Sequence, residues 1–194
     1  MVLTEPNQCQ MPLTFMNDSE FLIQFRHEET KEKAFASLVK KYQEKLYWHI
    51  RRMVVQHEDA NDVLQNVFIR VWKGLENFRE DSRLYTWLYR IATNESLTYL
   101  DQLKRKSAVS LSDVETGLSN KIKADRNFDA QKVEWKLQLA IQQLPEKQRV
   151  VFALRYYEEM PYEEMSRVLD TSEGALKASY HHAAKKIEDY MLNH

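Results

Sequence analysis

The chain has 194 residues, 43% hydrophobic and 29% charged, which is room for one ordinary domain or two small ones with modest cores. Three glycines and four prolines are too few for the turns of a sheet protein, and a single cysteine, Cys9, excludes an intrachain disulfide. A net charge of -1 excludes overall basicity as a means of holding nucleic acid, and the expectation is an all-α, cytoplasmic, soluble protein with no basic leader and no direct membrane insertion.

Residues 1–25 form an N-terminal extension with no assigned role. In "AFASLVKKYQEKLYWHIRRMV", Phe35, Leu38, Val39, Tyr42, Leu46 and Ile50 recur at helical spacing along one side. "DANDVLQNVFIRVWKGL" follows as a second helix with Val63, Leu64, Val67, Phe68, Val71 and Trp72 as its buried stripe and Gly74 near its end. After the irregular "ENFREDS", "RLYTWLYRIATNESLTYLDQLKRK" turns Leu84, Trp87, Leu88, Ile91, Ala92 and Leu97 inward. That leaves Tyr85, Arg90 and Asn94 outside or at the rim.

Charge is unevenly placed. Between Arg83 and Lys106, five basic residues face two acidic ones, Glu95 and Asp101, whereas "HEDAND" just upstream carries Glu58, Asp59 and Asp62 with no Lys or Arg. Such polarity suits two surfaces for two partners, or a solvated mixed-charge face. Residues 107–127, "SAVSLSDVETGLSNKIKADRN", lose the helical rhythm and read as a flexible linker between two small helical domains, residues 26–106 and 128–194. Periodicity resumes in "DAQKVEWKLQLAIQQL", and Pro145 and Pro161 stand where proline is tolerated, at helix starts, giving three or four helices in the C-terminal domain.

The stretch "PYEEMSRVLDTSEGALKASYHHAAKKI" reads as two helices around a tight turn. Met165, Val168 and Leu169 line the inside of the first, Asp170 sits in the turn where a left-handed backbone is tolerable, and Thr171 or Ser172 caps the second. There Leu176, Tyr180, Ala183 and Ile187 face inward; Gly174, Ala178, His181 and Lys185 lie opposite, flanked by Lys177 and His182. Small residues at Gly174 and Ala178 let a helix sit deep in a major groove, although periodicity alone also fits a plain helical hairpin with a solvated face. His181 and His182 are adjacent and diverge on a helix, so no metal site is expected, nor any cofactor. No phosphate-binding glycine loop and no nucleophile with its base is visible, so an enzyme is not expected.

"DANDVLQNVFIRVW", "NFREDSRLYTWLYRIATNES" and "LPEKQRVVFALRYYEEMPYEEMSRVLDTSEGALKASYHHAAKKI", in this order and spacing, resemble bacterial RNA polymerase sigma factors of the sigma-70 family, extracytoplasmic-function group. The resemblance runs from about Ala34 to Ile187. It implies a region 2 domain and a region 4 domain, with core RNA polymerase (β′ clamp helices and β flap) and promoter DNA as partners, and an anti-sigma factor as a further one.

By this resemblance Asp59, Asp62, Gln65 and Asn66 bind polymerase. Phe78, Tyr85, Tyr89, Arg90 and Asn94 serve the minus-ten element, Phe78 from the loop that captures a flipped base. Arg155, Lys177, Ala178, His181 and His182 face the minus-thirty-five element. Three departures from the family pattern stand out: Glu80 replaces a frequent glycine, Ala175 a threonine common near the start of the last helix, and that helix carries His181, His182, Ala183 and Ala184 where arginines are common. Few phosphate contacts are on offer from Lys177, Lys185 and Lys186, so the expectation is weak DNA binding by the free chain and strong binding once polymerase holds both readers. The rival reading, a free-standing helix-turn-helix regulator, accounts for residues 161–187 and leaves the two N-terminal motifs unexplained.

Overall fold

The computed structural model describes residues 17–54, 56–106 and 133–193. The expected linker and Cys9 lie outside them. Every regular element described is helical, and the described residues group into two compact units, 1–43 and 44–194.

In the first unit, α1 (Asp18–Arg26) begins within the expected N-terminal extension, residues 1–25, and ends one residue beyond it. Its start is fully capped: the Asn17 side chain accepts from the Glu20 N–H at 2.8 Å while the Glu20 carboxylate accepts from the Asn17 N–H. Phe21, Leu22 and Phe25 are buried, and the Phe25 ring lies 6.4 Å from Phe35 on α2 (Glu28–Val54). Helix α2 keeps Leu38, Tyr42, Leu46 and Ile50 buried as the spacing predicts.

In the second unit, α3 (His57–Gly74) has Glu58 and Asp59 in its first turn, where acidic side chains favour the positive end of the helix dipole. Ala60, Val63, Val67 and Val71 form its buried stripe. A 3-10 turn, Leu75–Asn77, leads to a loop and then to α4 (Leu84–Lys106), which packs on α3 and is tied to it by Arg70 and Glu95 at 2.7 Å. Gly74 makes the close approach possible: a Cβ there would lie 2.9 Å from Trp87 Cζ2.

Helices α5 (Val133–Gln142), α6 (Glu146–Tyr156), α7 (Tyr162–Leu169) and α8 (Glu173–Asn193) follow. Helix α8 packs on each of the other three, and Ala140, Ile141, Leu144, Phe152, Ala183 and Ile187 form a core. The buried Arg149 donates from Nη2 to the Gln142 and Leu144 carbonyls at 2.8 and 3.1 Å, satisfying groups that the end of α5 leaves open. Pro145 and Pro161 each stand immediately before a helix. Asp170 adopts φ 48° and ψ 47°, the left-handed turn expected of it. Ser172 is the residue that caps α8, its Oγ accepting from the Ala175 N–H at 3.4 Å, while the Thr171 hydroxyl donates back to the Leu169 carbonyl.

Candidate nucleic-acid and partner interfaces

On α3, Asp62, Gln65 and Asn66 are all exposed, and Ile69, one further turn along the same face, is 52% exposed. The face is acidic and amide-bearing with an apolar end, suited to a basic helical partner through charge-assisted hydrogen bonds. Asp59 is placed differently. It is half-buried and hydrogen-bonded by the Tyr99 hydroxyl of α4; burial, then that bond and the Asp59 charge, push the Tyr99 phenol up. Asp59 therefore braces α3 against α4 as well as bordering the face.

The residues expected at the minus-ten element are divided. Arg90 and Asn94 are exposed. Phe78 is only 8% exposed, its ring 5.0 Å from Trp87, so it serves the core in this conformation. Tyr85 is half-buried and its ring lies 4.5 Å from that of Tyr89, which is fully buried.

What covers Tyr89 is the segment between α6 and α7. Its hydroxyl donates to Glu158 Oε2 at 2.5 Å, Arg52 Nη1 reaches Glu158 Oε1 at 3.0 Å, and the Tyr85 hydroxyl donates to the Glu158 carbonyl at 3.4 Å. In the first turn of α7, Glu164 accepts from the Thr86 hydroxyl at 3.0 Å and pairs with Arg83 at 3.2 Å. Burial, then the bond to Glu158 and its charge, drive the Tyr89 phenol far above its ordinary range, so it stays a hydrogen-bond donor. The apolar period of α4 did not reveal this second buried face. The signal is a stripe of Thr86, Tyr89, Thr93, Ser96 and Leu100 at alternating spacings of three and four, all buried and mostly hydroxyl-bearing.

At the C-terminal end, Gly174, Ala178, His181, His182 and Lys185 are exposed on α8, and a Cβ at Gly174 would meet open space. Tyr162 joins two basic side chains there: Arg155 Cζ and Lys177 Nζ lie 5.2 and 5.5 Å from its ring centroid. Arg155 also donates to the Glu159 and Met160 carbonyls, and Lys177 pairs with Glu173 at 3.3 Å. Arg155 and Lys177 thus flank a small-residue helix face that continues to His181. No cluster of three metal-ligating side chains occurs among the described residues, and none of their helices is long and apolar enough to cross a membrane.

These features are those of an all-helical protein that carries an acidic, amide-bearing helix face and, further along the chain, a helix-turn-helix. Residues 38–106 match the family model for sigma-70 region 2, and residues 134–187 that for sigma-70 region 4. The RNA polymerase sigma-H factor of Pseudomonas aeruginosa is 34% identical, covering 84% of this chain and 89% of its own length. The ECF RNA polymerase sigma-E factor of Escherichia coli K12 is 30% identical, covering 84% and 90%. Two solved structures share the fold with a TM-score of 0.63: CnrH in complex with the cytosolic domain of CnrY, at 21% identity over 89% of this chain and 96% of that one, and the sigma factor RpoE of Bartonella quintana in complex with the anti-sigma factor NepR, at 17% over 83% and 98%. The chain belongs to the sigma-70 family of RNA polymerase sigma factors, in its extracytoplasmic-function group.

Proposed function

We propose that this sigma factor docks on the β′ clamp helices of core RNA polymerase through Asp62, Gln65 and Asn66, with Asp59 fixing the helix that carries them. Tyr85, Tyr89, Arg90 and Asn94 then engage the melted minus-ten strand, with Phe78 in the loop that captures a flipped base, while Arg155, Lys177, Ala178, His181 and His182 face the minus-thirty-five duplex. Extruding a base costs unpairing energy, and stacking on an aromatic returns about 1–3 kcal/mol per base. Bond formation belongs to polymerase; this chain supplies position and selectivity.

The observation that carries this reading is that one chain presents an exposed acidic, amide-rich helix and, separately, an exposed small-residue helix flanked by Arg155 and Lys177. A free-standing DNA regulator has no use for the first. The test is transcription in vitro with core polymerase, reading start sites by sequencing. Wild-type protein gives a defined set of starts; Asp62→Arg loses core association with helicity unchanged by circular dichroism. Unchanged affinity of that variant for core would remove the docking assignment.

A further inference from the structure

We propose that, in the chain free of polymerase, Glu158 and Glu164 occupy the surface of α4 that is to receive the promoter strand, so that the two acidic side chains hold the protein closed against DNA. The inference rests on the minus-ten assignment above and adds to it a regulatory contact within residues 44–194.

The donors involved are Tyr85, Tyr89, Thr86, Arg52 and Arg83: three hydroxyls and two guanidiniums, a set that serves a phosphate as readily as a carboxylate. Here four of them serve two carboxylates whose side chains are only 11% and 12% exposed, and Tyr85 serves the Glu158 backbone carbonyl, so a nucleic-acid strand cannot reach Tyr89 while they stay in place. The turn that presents Glu158 is itself fixed by hydrogen bonds. Glu159 has φ 50°, Arg155 donates to the Glu159 and Met160 carbonyls, and the Met160 N–H bonds the Leu154 carbonyl at 3.1 Å. Arg52, besides holding Glu158, lies 3.8 Å from the centroid of the Tyr157 ring.

The same seam continues in polar contacts. Gln142 donates to the Arg52 carbonyl at 2.9 Å, and Lys104 pairs with Glu146. A seam of ion pairs and hydrogen bonds specifies one arrangement while adding little net stability, because water or another anion satisfies the same groups once it opens. Polymerase needs only to hold the chain open for DNA phosphates to replace the two carboxylates. When the competent state is a minor population, apparent affinity is reduced by that fraction.

The experiment measures binding of full-length protein, without polymerase, to fluorescein-labelled single-stranded DNA of randomised sequence. Glu158→Gln/Glu164→Gln removes the anionic mimics; Glu159→Gln/Glu163→Gln removes the same charge from exposed neighbours. The first pair is expected to tighten binding about tenfold or more, the second less than about threefold. Equal gains would reduce the effect to net charge and overturn the proposal.

A second arm fixes the closure. Lys104→Cys/Glu146→Cys in a Cys9→Ser background, joined across the seam by a short bismaleimide, is expected to lose polymerase-dependent initiation that the unjoined variant retains. Full activity of the joined protein would also overturn the proposal. Absence of specific initiation by wild-type protein with core polymerase would instead strike the functional reading itself, so the two failures are distinguishable.

Discussion

Lowering the pH places a cost on one histidine. His49 is fully buried, its Nε2 2.9 Å from the Thr93 hydroxyl and its ring edge-on to Tyr89 at 5.0 Å. Burial first, and the neighbouring Arg52 second, lower its pKa from 6.5 to about 3. The unfolded chain therefore takes up a proton below pH 6.5 that the folded chain refuses, and stability is full above that pH and falls as pH drops toward 3. Each unit is about 1.4 kcal/mol, so about 2 kcal/mol disappears between the unfolded value and about pH 5, a large share of the roughly 5–15 kcal/mol a domain has. Urea unfolding at about pH 7.5 and about pH 5 of wild type and His49→Gln isolates the effect, since the amide can still bond Thr93 and the exposed carboxylates are common to both. Wild type is expected to lose about 2 kcal/mol more than the variant on acidification. Equal losses would mean that His49 is protonated in the folded protein and that the reasoning from its burial fails.

Gly74→Ala gains up to about 1 kcal/mol of helix propensity but drives Cβ into Trp87, itself held by Phe78; a net loss of about 1–2 kcal/mol is expected by urea denaturation, and a gain would show that Trp87 yields freely. Glu80 has φ 61°, so Glu80→Gly should raise stability by up to about 1 kcal/mol. A lower melting temperature would show that the Glu80 side chain contributes more than its backbone costs. Lys177→Ala should weaken holoenzyme binding to a minus-thirty-five duplex and reduce the salt slope of log affinity by about 0.9. An unchanged slope would leave Lys177 with Glu173 and Tyr162 as its only partners.

The helices of this chain were legible because their apolar stripes are strict: Val63, Val67 and Val71, or Leu176, Ala183 and Ile187, recur at a spacing that only a helix converts into one face. Turn chemistry was legible where the side chain dictates the backbone, as at Asp170. The cap was ambiguous between Thr171 and Ser172 because both hydroxyls suit it, and only the backbone direction decides. Helix α1 is not legible from its period: Phe21, Leu22 and Phe25 are too short a stripe, and the Asn17–Glu20 capping box is a local signal that many non-helical stretches share. Glu80 stands where the resemblance leads one to expect glycine, and its left-handed backbone supplies the physical reason a glycine suits that position.

Burial of Tyr89 was beyond an apolar period for a different reason. Thr86, Tyr89, Thr93 and Ser96 look like a solvated face to any scale that treats a hydroxyl as polar, yet each can be buried if an acceptor meets it. Glu158 and Glu164 lie 69 and 78 residues from the hydroxyls they accept from, too far along the chain for any local pattern to join them. The distinction has a functional edge. An apolar face commits a helix to one buried partner, because exposing it again costs free energy in proportion to its area. A hydroxyl-lined face flanked by arginines carries no such commitment: carboxylate, water and phosphate all satisfy it, so α4 can remain folded while exchanging one anionic partner for another. That property is what a surface needs if it is to be covered in the free chain and occupied by nucleic acid in the working complex.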